Sequence, residues 1–219
     1  MLRSVWVDHG DNPEPVSSGK NGITRPLFDI RDESLTTNKL LTWRDHSPYT
    51  SIGVYACANW NVDKDWSQNP AAFAIWLDRR ISAIAPNTGS RLPCVAVNIE
   101  NGWTYNYNGR LPTYCADFFK EWRNRRPTRI TTLVLDGFQG GYWDKRPADV
   151  QAIKDADLEE IQVEAFNGSD MSRFDSDGVV YDVESRGFSN VVPIHSGKQL
   201  APGWFGGVFT QGSLLGAGT

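Results

Sequence analysis

Apolar positions along the chain follow two alternating rhythms. Short runs that are apolar at nearly every position mark strands buried on both faces, whereas apolar residues recurring every three or four positions mark one side of a helix. The clearest strand is the run over residues 91–100, Arg-Leu-Pro-Cys-Val-Ala-Val-Asn-Ile-Glu, which ends in Asn98 and Glu100 before a Gly-Trp loop. Two residues of strand rise about 6.6 Å, so Asn98 and Glu100 share a face and can reach one ligand. Similar runs lie at 5–7, 27–30, 52–58 and 131–135, and each stops at polar groups: Asp8; Arg31, Asp32 and Glu33; Asn59 and Asn61 flanking Trp60; and Asp136.

Between these runs the pattern predicts helices. The first spans 34–44, with Ser34 as its cap. The second opens on Asn69 as cap and Pro70 in the first turn, keeps the stripe Phe73, Trp76, Leu77, Ile81 and Ile84, and stops at Pro86. A third covers 113–126 with Tyr114, Phe118, Phe119 and Trp122 inward, and a short one covers 147–155. After residue 156 no helical stripe remains. Apolar runs at 161–166, 179–183, 191–194 and 205–209 then follow at short spacing. The order predicts one α/β domain over 1–219, a single TIM-like barrel of five βα units followed by three or four β strands lacking helices. An open doubly wound sheet is the alternative. It needs a Gly-rich turn opening an early helix, which Asp8-His-Gly-Asp11 is not.

A chain of 219 residues fits a single barrel. Its 22 basic and 26 acidic residues give a net charge of −4, which argues against nucleic acid as a partner. Arg123, Arg125, Arg126 and Arg129 form the one dense basic cluster, placed to complement a helix dipole. No signal peptide or membrane-spanning window is expected. Cys57, Cys94 and Cys115 lack Cys-x-x-Cys spacing and read as small buried apolar residues.

In such a barrel the strand ends meet at one mouth, so Asp8, Asp29, Asn59, Asn98, Glu100, Asp136 and Glu164 would line an acidic rim. Trp60, Trp103, Tyr105, Tyr107, Tyr142 and Trp143 lie in loops leaving the same rim. Flat rings beside amides suit a sugar chain, and they equally suit a protein interface. Other signals are weak. His9, His46 and His195 share no metal-ligand spacing, and Asp175-Ser-Asp177-Gly reads as a turn. Neither a Gly-x-Ser-x-Gly elbow nor a phosphate loop is present, and no metal or other cofactor is expected.

Four segments resemble glycoside hydrolase family 25, lysozymes of bacteria and their phages. They are Val7-Asp8, the third-strand Gly53-Val-Tyr55-Ala, Leu92-Pro-Cys-Val-Ala-Val-Asn98-Ile-Glu100, and Phe209-Thr-Gln-Gly212. The resemblance implies a barrel of five βα units and three further strands, with Glu100 as catalytic acid supported by Asp8 and position 98. Position 98 is Asn where the family has Asp, Cys57 replaces a polar aromatic, and the family's late Asp has no counterpart. An ordinary glycosidase needs a second carboxylate, for which Asp8 and Asp136 remain. An amide at 98 can orient an N-acetyl group but cannot carry charge.

Two classes of function follow. The first is a muramidase-type hydrolase of peptidoglycan with Glu100 as general acid. The second, which Asn98 favours, is a structural or glycan-binding protein of a phage particle that keeps the barrel without the chemistry. Its partners would be cell-wall glycan or other virion proteins, and neither nucleic acid nor membrane.

Overall fold

In a computed structural model of the chain the described residues are 4–7, 25–31, 34–44, 52–57, 69–84, 94–98, 113–125, 130–136, 146–164, 183–196 and 208–210. They form strands β1 (Ser4–Val7), β2 (Arg25–Asp29), β3 (Gly53–Cys57), β4 (Cys94–Asn98), β5 (Thr132–Asp136), β6 (Glu160–Glu164), β7 (Val191–Ser196) and β8 (Val208–Thr210). The helices are α1 (Thr37–Arg44), α2 (Pro70–Ile84), α3 (Tyr114–Arg125) and α4 (Pro147–Lys154). Each strand pairs in parallel with the next, and β8 pairs in parallel with β1, so the sheet closes in chain order. The protein is therefore an α/β fold on a parallel sheet.

Register and pleat divide the sheet into two faces. Phe28, Val54, Ala56, Val95, Val97, Leu133 and Ile161 belong to one apolar cluster with Phe73, Leu77 and Ile81 of α2, Phe118, Phe119 and Trp122 of α3, and Ile153 of α4. They are the outer, helix-covered face. Leu27, Asp29, Gly53, Tyr55, Cys94, Ala96, Asn98, Thr132 and Gln162 alternate with them, so they point the other way, and all are buried. All five residues of β4 are buried, as its continuous apolar run requires. Rings fill the seam between α2 and α3: the Phe73 and Phe118 centroids lie 5.5 Å apart, and Phe118 meets Phe119 edge-on at 5.3 Å. Trp76 is half-buried beside this seam and stacks on Phe73 at 5.9 Å.

Gly53 is required by space on the inner face. A Cβ there would lie 2.6 Å from Leu27 Cδ2 and 2.7 Å from both Cβ and the carbonyl oxygen of Cys94. At the opposite end of the strands from Asn98, Thr131 joins three of them. Its N–H donates to the Val95 carbonyl at 3.1 Å, its hydroxyl accepts from Val95 N–H at 3.0 Å, and its carbonyl accepts from Glu159 and Glu160.

Several sequence expectations need correction. The cap of α1 is Thr36, whose hydroxyl accepts the Lys39 N–H at 3.3 Å, because the helix begins at Thr37, too far along for Ser34 to reach. Asn69 does cap α2, its side-chain oxygen accepting from Ala72 N–H at 2.9 Å. Among the described residues four helices follow β2 to β5, and the connection from β1 to β2 lies outside them. The strand expected over 179–183 is not one where it is described. Val183 opens a helical turn over 183–185 that ends at Gly187, whose φ of +84° suits glycine. Residues 179–182 lie outside the described residues. Arg125 also does more than complement a dipole, since it pairs with Glu121 at 2.6 Å and reaches Asp78 of α2 at 3.8 Å.

Candidate functional site

Strand register sets three successive rungs toward the C-terminal ends of the strands. Asp29 stands beside Tyr55, then Ala96, Thr132 and Glu160; the next rung runs Cys57, Asn98, Val134, Gln162; the last joins Asp136 to Glu164. At the C-terminal strand ends Asp136 and Glu164 are thus register partners, and Asn98 pairs with Val134, two residues before Asp136. Asn98 is 1% exposed and Gln162 fully buried, and the Gln162 amide donates to Glu160 on its own strand at 2.6 Å. Of Asp136 and Glu164 the backbone alone is described.

Asp29, expected to line an acidic rim, closes β2 with its carboxylate paired. It is 2% exposed and is gripped by Arg31, whose backbone N–H donates to Oδ1 and whose Nε donates to both oxygens, each at 2.9 Å. Arg31 Nη2 closes the ion pair on Oδ2. A buried carboxylate needs such a partner, because its desolvation would otherwise cost several kcal/mol. Arg80 of α2 steadies the same corner by donating from Nε to the Ile30 carbonyl at 3.0 Å. This corner was legible as acidic in the sequence, but its neutralisation two residues later was missed.

No protein-family model matches the sequence, nor does any curated protein or solved structure. The resemblance rests on the chain's own residues. Of the expected site residues, Asn98 and Asp29 are the two whose side chains are described. Asp8, Asn59, Trp60, Glu100, Trp103, Tyr105, Tyr107, Tyr142 and Trp143 lie outside the described residues. Among the described residues no group of three or more His, Cys, Asp or Glu is arranged to hold a metal ion, and no helix is long and apolar enough to cross a membrane.

A second charged corner joins the starts of α3 and α4, the helices that follow β4 and β5. Asp149 is fully buried; its Oδ1 accepts the Ala116 N–H at 3.0 Å, and Arg146 Nη1 lies 3.4 Å from its Oδ2. Burial pushes this carboxyl from 3.8 up to about 6, against the lowering effects of the Ala116 and Cys115 amides and of Arg146, with Asp117 adding a smaller upward push. Burial also raises the Cys115 thiol well above its ordinary value, and Asp149 raises it further. The sequence carries a signal for Asp149 in its helical spacing, which sets it on the same face as buried Ala152 and Ile153.

Proposed function

We propose that the protein is a glycan-binding or structural component of a phage particle, built on a TIM-like barrel of the family 25 type whose active site is degenerate. The observation carrying this reading is Asn98. It ends β4 on the buried inner face, at the position where the resembled family has Asp, and an amide there can hold an N-acetyl group without supplying charge. Asp29, held by Arg31, is committed to structure as well. The partners are cell-wall glycan or neighbouring virion proteins, with aromatic positions Trp103 and Trp143 as contacts.

A second reading, an active muramidase, is favoured by one specific feature: Asp136 and Glu164 are register partners, so two acidic positions stand side by side at the ends of β5 and β6. Reducing-end release from purified cell walls distinguishes the two. The binding reading expects no release above background from wild type or Glu100→Gln, with cosedimentation of wild type on peptidoglycan that Trp103→Ala and Trp143→Ala weaken. General acid catalysis contributes roughly 10²- to 10⁴-fold. Wild-type hydrolysis that falls by such a factor in Glu100→Gln would establish the enzyme instead.

A further inference from the structure

We infer that Asp149 is an ionisable clasp between α3 and α4, so that the protonation state of one buried carboxyl sets how firmly α4 holds the first turn of α3. The geometry is that of a cap supplied from another helix. α3 begins at Tyr114, and the Ala116 N–H belongs to the set of amides that a helix leaves without an internal partner; Asp149 of α4 reaches across to accept it at 3.0 Å. Just before α3, the Thr113 hydroxyl donates to Asp117 at 3.1 Å.

The other oxygen of Asp149 makes the clasp sensitive to charge. Oδ2 is buried without a hydrogen bond, and faces Arg146 Nη1 at 3.4 Å across an ion pair whose two side chains are 4% and 0% exposed. When the carboxyl is ionised, that oxygen is held by Coulomb attraction alone in surroundings that exclude water. When it is protonated, the desolvation cost falls while Oδ1 can still accept from Ala116. The charged and titratable groups acting on it are Arg146 from its own helix, and Asp117 and the Cys115 thiol from α3.

The folded value, about 6, lies above the 3.8 of an unperturbed aspartate. The contribution to stability is therefore fully present below about 4 and is lost as pH rises through about 6. Acidification tightens the seam, and neutral pH slackens it. Because α3 and α4 receive the chain from β4 and β5, the clasp also fixes where those two connections end, whatever ligand the protein binds.

Urea unfolding of wild type and Asp149→Asn at pH 7.5 and pH 5 tests the inference. Relative to the Asn variant, the wild-type unfolding constant should fall by about tenfold on acidification, the value that these two pKa values give by linkage. An unchanged ratio overturns it, because a purely structural cap would shift both pH values alike. Should Asp149→Asn fail to fold, ¹³C titration of the Asp149 carboxyl in the wild-type protein replaces it. A midpoint near 6, with Ala116 amide exchange slowing over the same range beyond the intrinsic pH effect, supports the clasp. A midpoint at or below 4 rejects it.

Discussion

Replacing Gly53 by Ala should unfold part of the sheet's inner packing, and the size of the effect follows from three distances. The new methyl would sit 2.6 Å from Leu27 Cδ2, 2.7 Å from Cys94 Cβ and 2.7 Å from the Cys94 carbonyl oxygen. Nonbonded carbons settle near 3.5–4.0 Å, so each contact is about 1 Å too short. Leu27 can turn its methyl aside. Cys94 cannot, because Cβ and the carbonyl are fixed to β4, which is hydrogen-bonded in register to β3 through Gly53 itself. Strand separation must widen, and overpacking of this kind costs about 1–3 kcal/mol. The restricted unfolded chain returns about 0.4–1 kcal/mol where Ala fits without strain, a gain this site does not permit in full. A net loss of about 2 kcal/mol is expected, which for a chain of this size lowers Tm by roughly 4–8 °C. Urea denaturation measures it directly. Pairing the substitution with Leu27→Ala should give less than the sum of the two losses, since the two side chains contend for the same space. A Gly53→Ala protein within about 0.5 kcal/mol of wild type, the range of an ordinary surface change, would refute the packing argument.

Two further outcomes are expected. Arg31→Ala leaves the Asp29 carboxylate buried without its counter-ion and should cost about 3 kcal/mol, with Asp29→Asn in the same chain recovering part of it; equal stability of Arg31→Ala and wild type in chemical denaturation would contradict the assigned pairing. Thr36→Ala should lower stability by about 1 kcal/mol through loss of the α1 cap, a loss that thermal melts of the variant and wild type resolve.

The order of strands and helices was readable because each element announces itself locally. Continuous apolar runs marked β2 to β5, and the Asn69-Pro70 start and Phe73–Leu77–Ile81 spacing marked α2. Register was not readable, since it depends on which residues of different strands come to lie side by side. Thus Asn98 could be placed at a strand end, but its rung with Cys57 and Val134 could not. The Asp29 carboxylate was likewise legible and its balance was not, because Arg31 pairs with it by folding back over two residues. Val183 misled for a different reason. A run of β-branched residues favours strand only weakly, and this one ends in a turn whose neighbour Phe188 packs beneath Lys154, with the ammonium 5.5 Å from the ring centroid.

Thr131 gives the molecule a division of labour along its axis. One residue fastens β4, β5 and the approach to β6 at the end remote from Asn98, and it does so through its hydroxyl as well as its main chain. Alignment of these strands is thereby decided before the chain reaches the connections that leave their other ends. Those connections are free to diverge in length and composition without resetting the sheet, which makes the protein a candidate scaffold for grafting: new recognition segments placed after β4 or β5 should inherit a prepared frame, provided Thr131 is left in place.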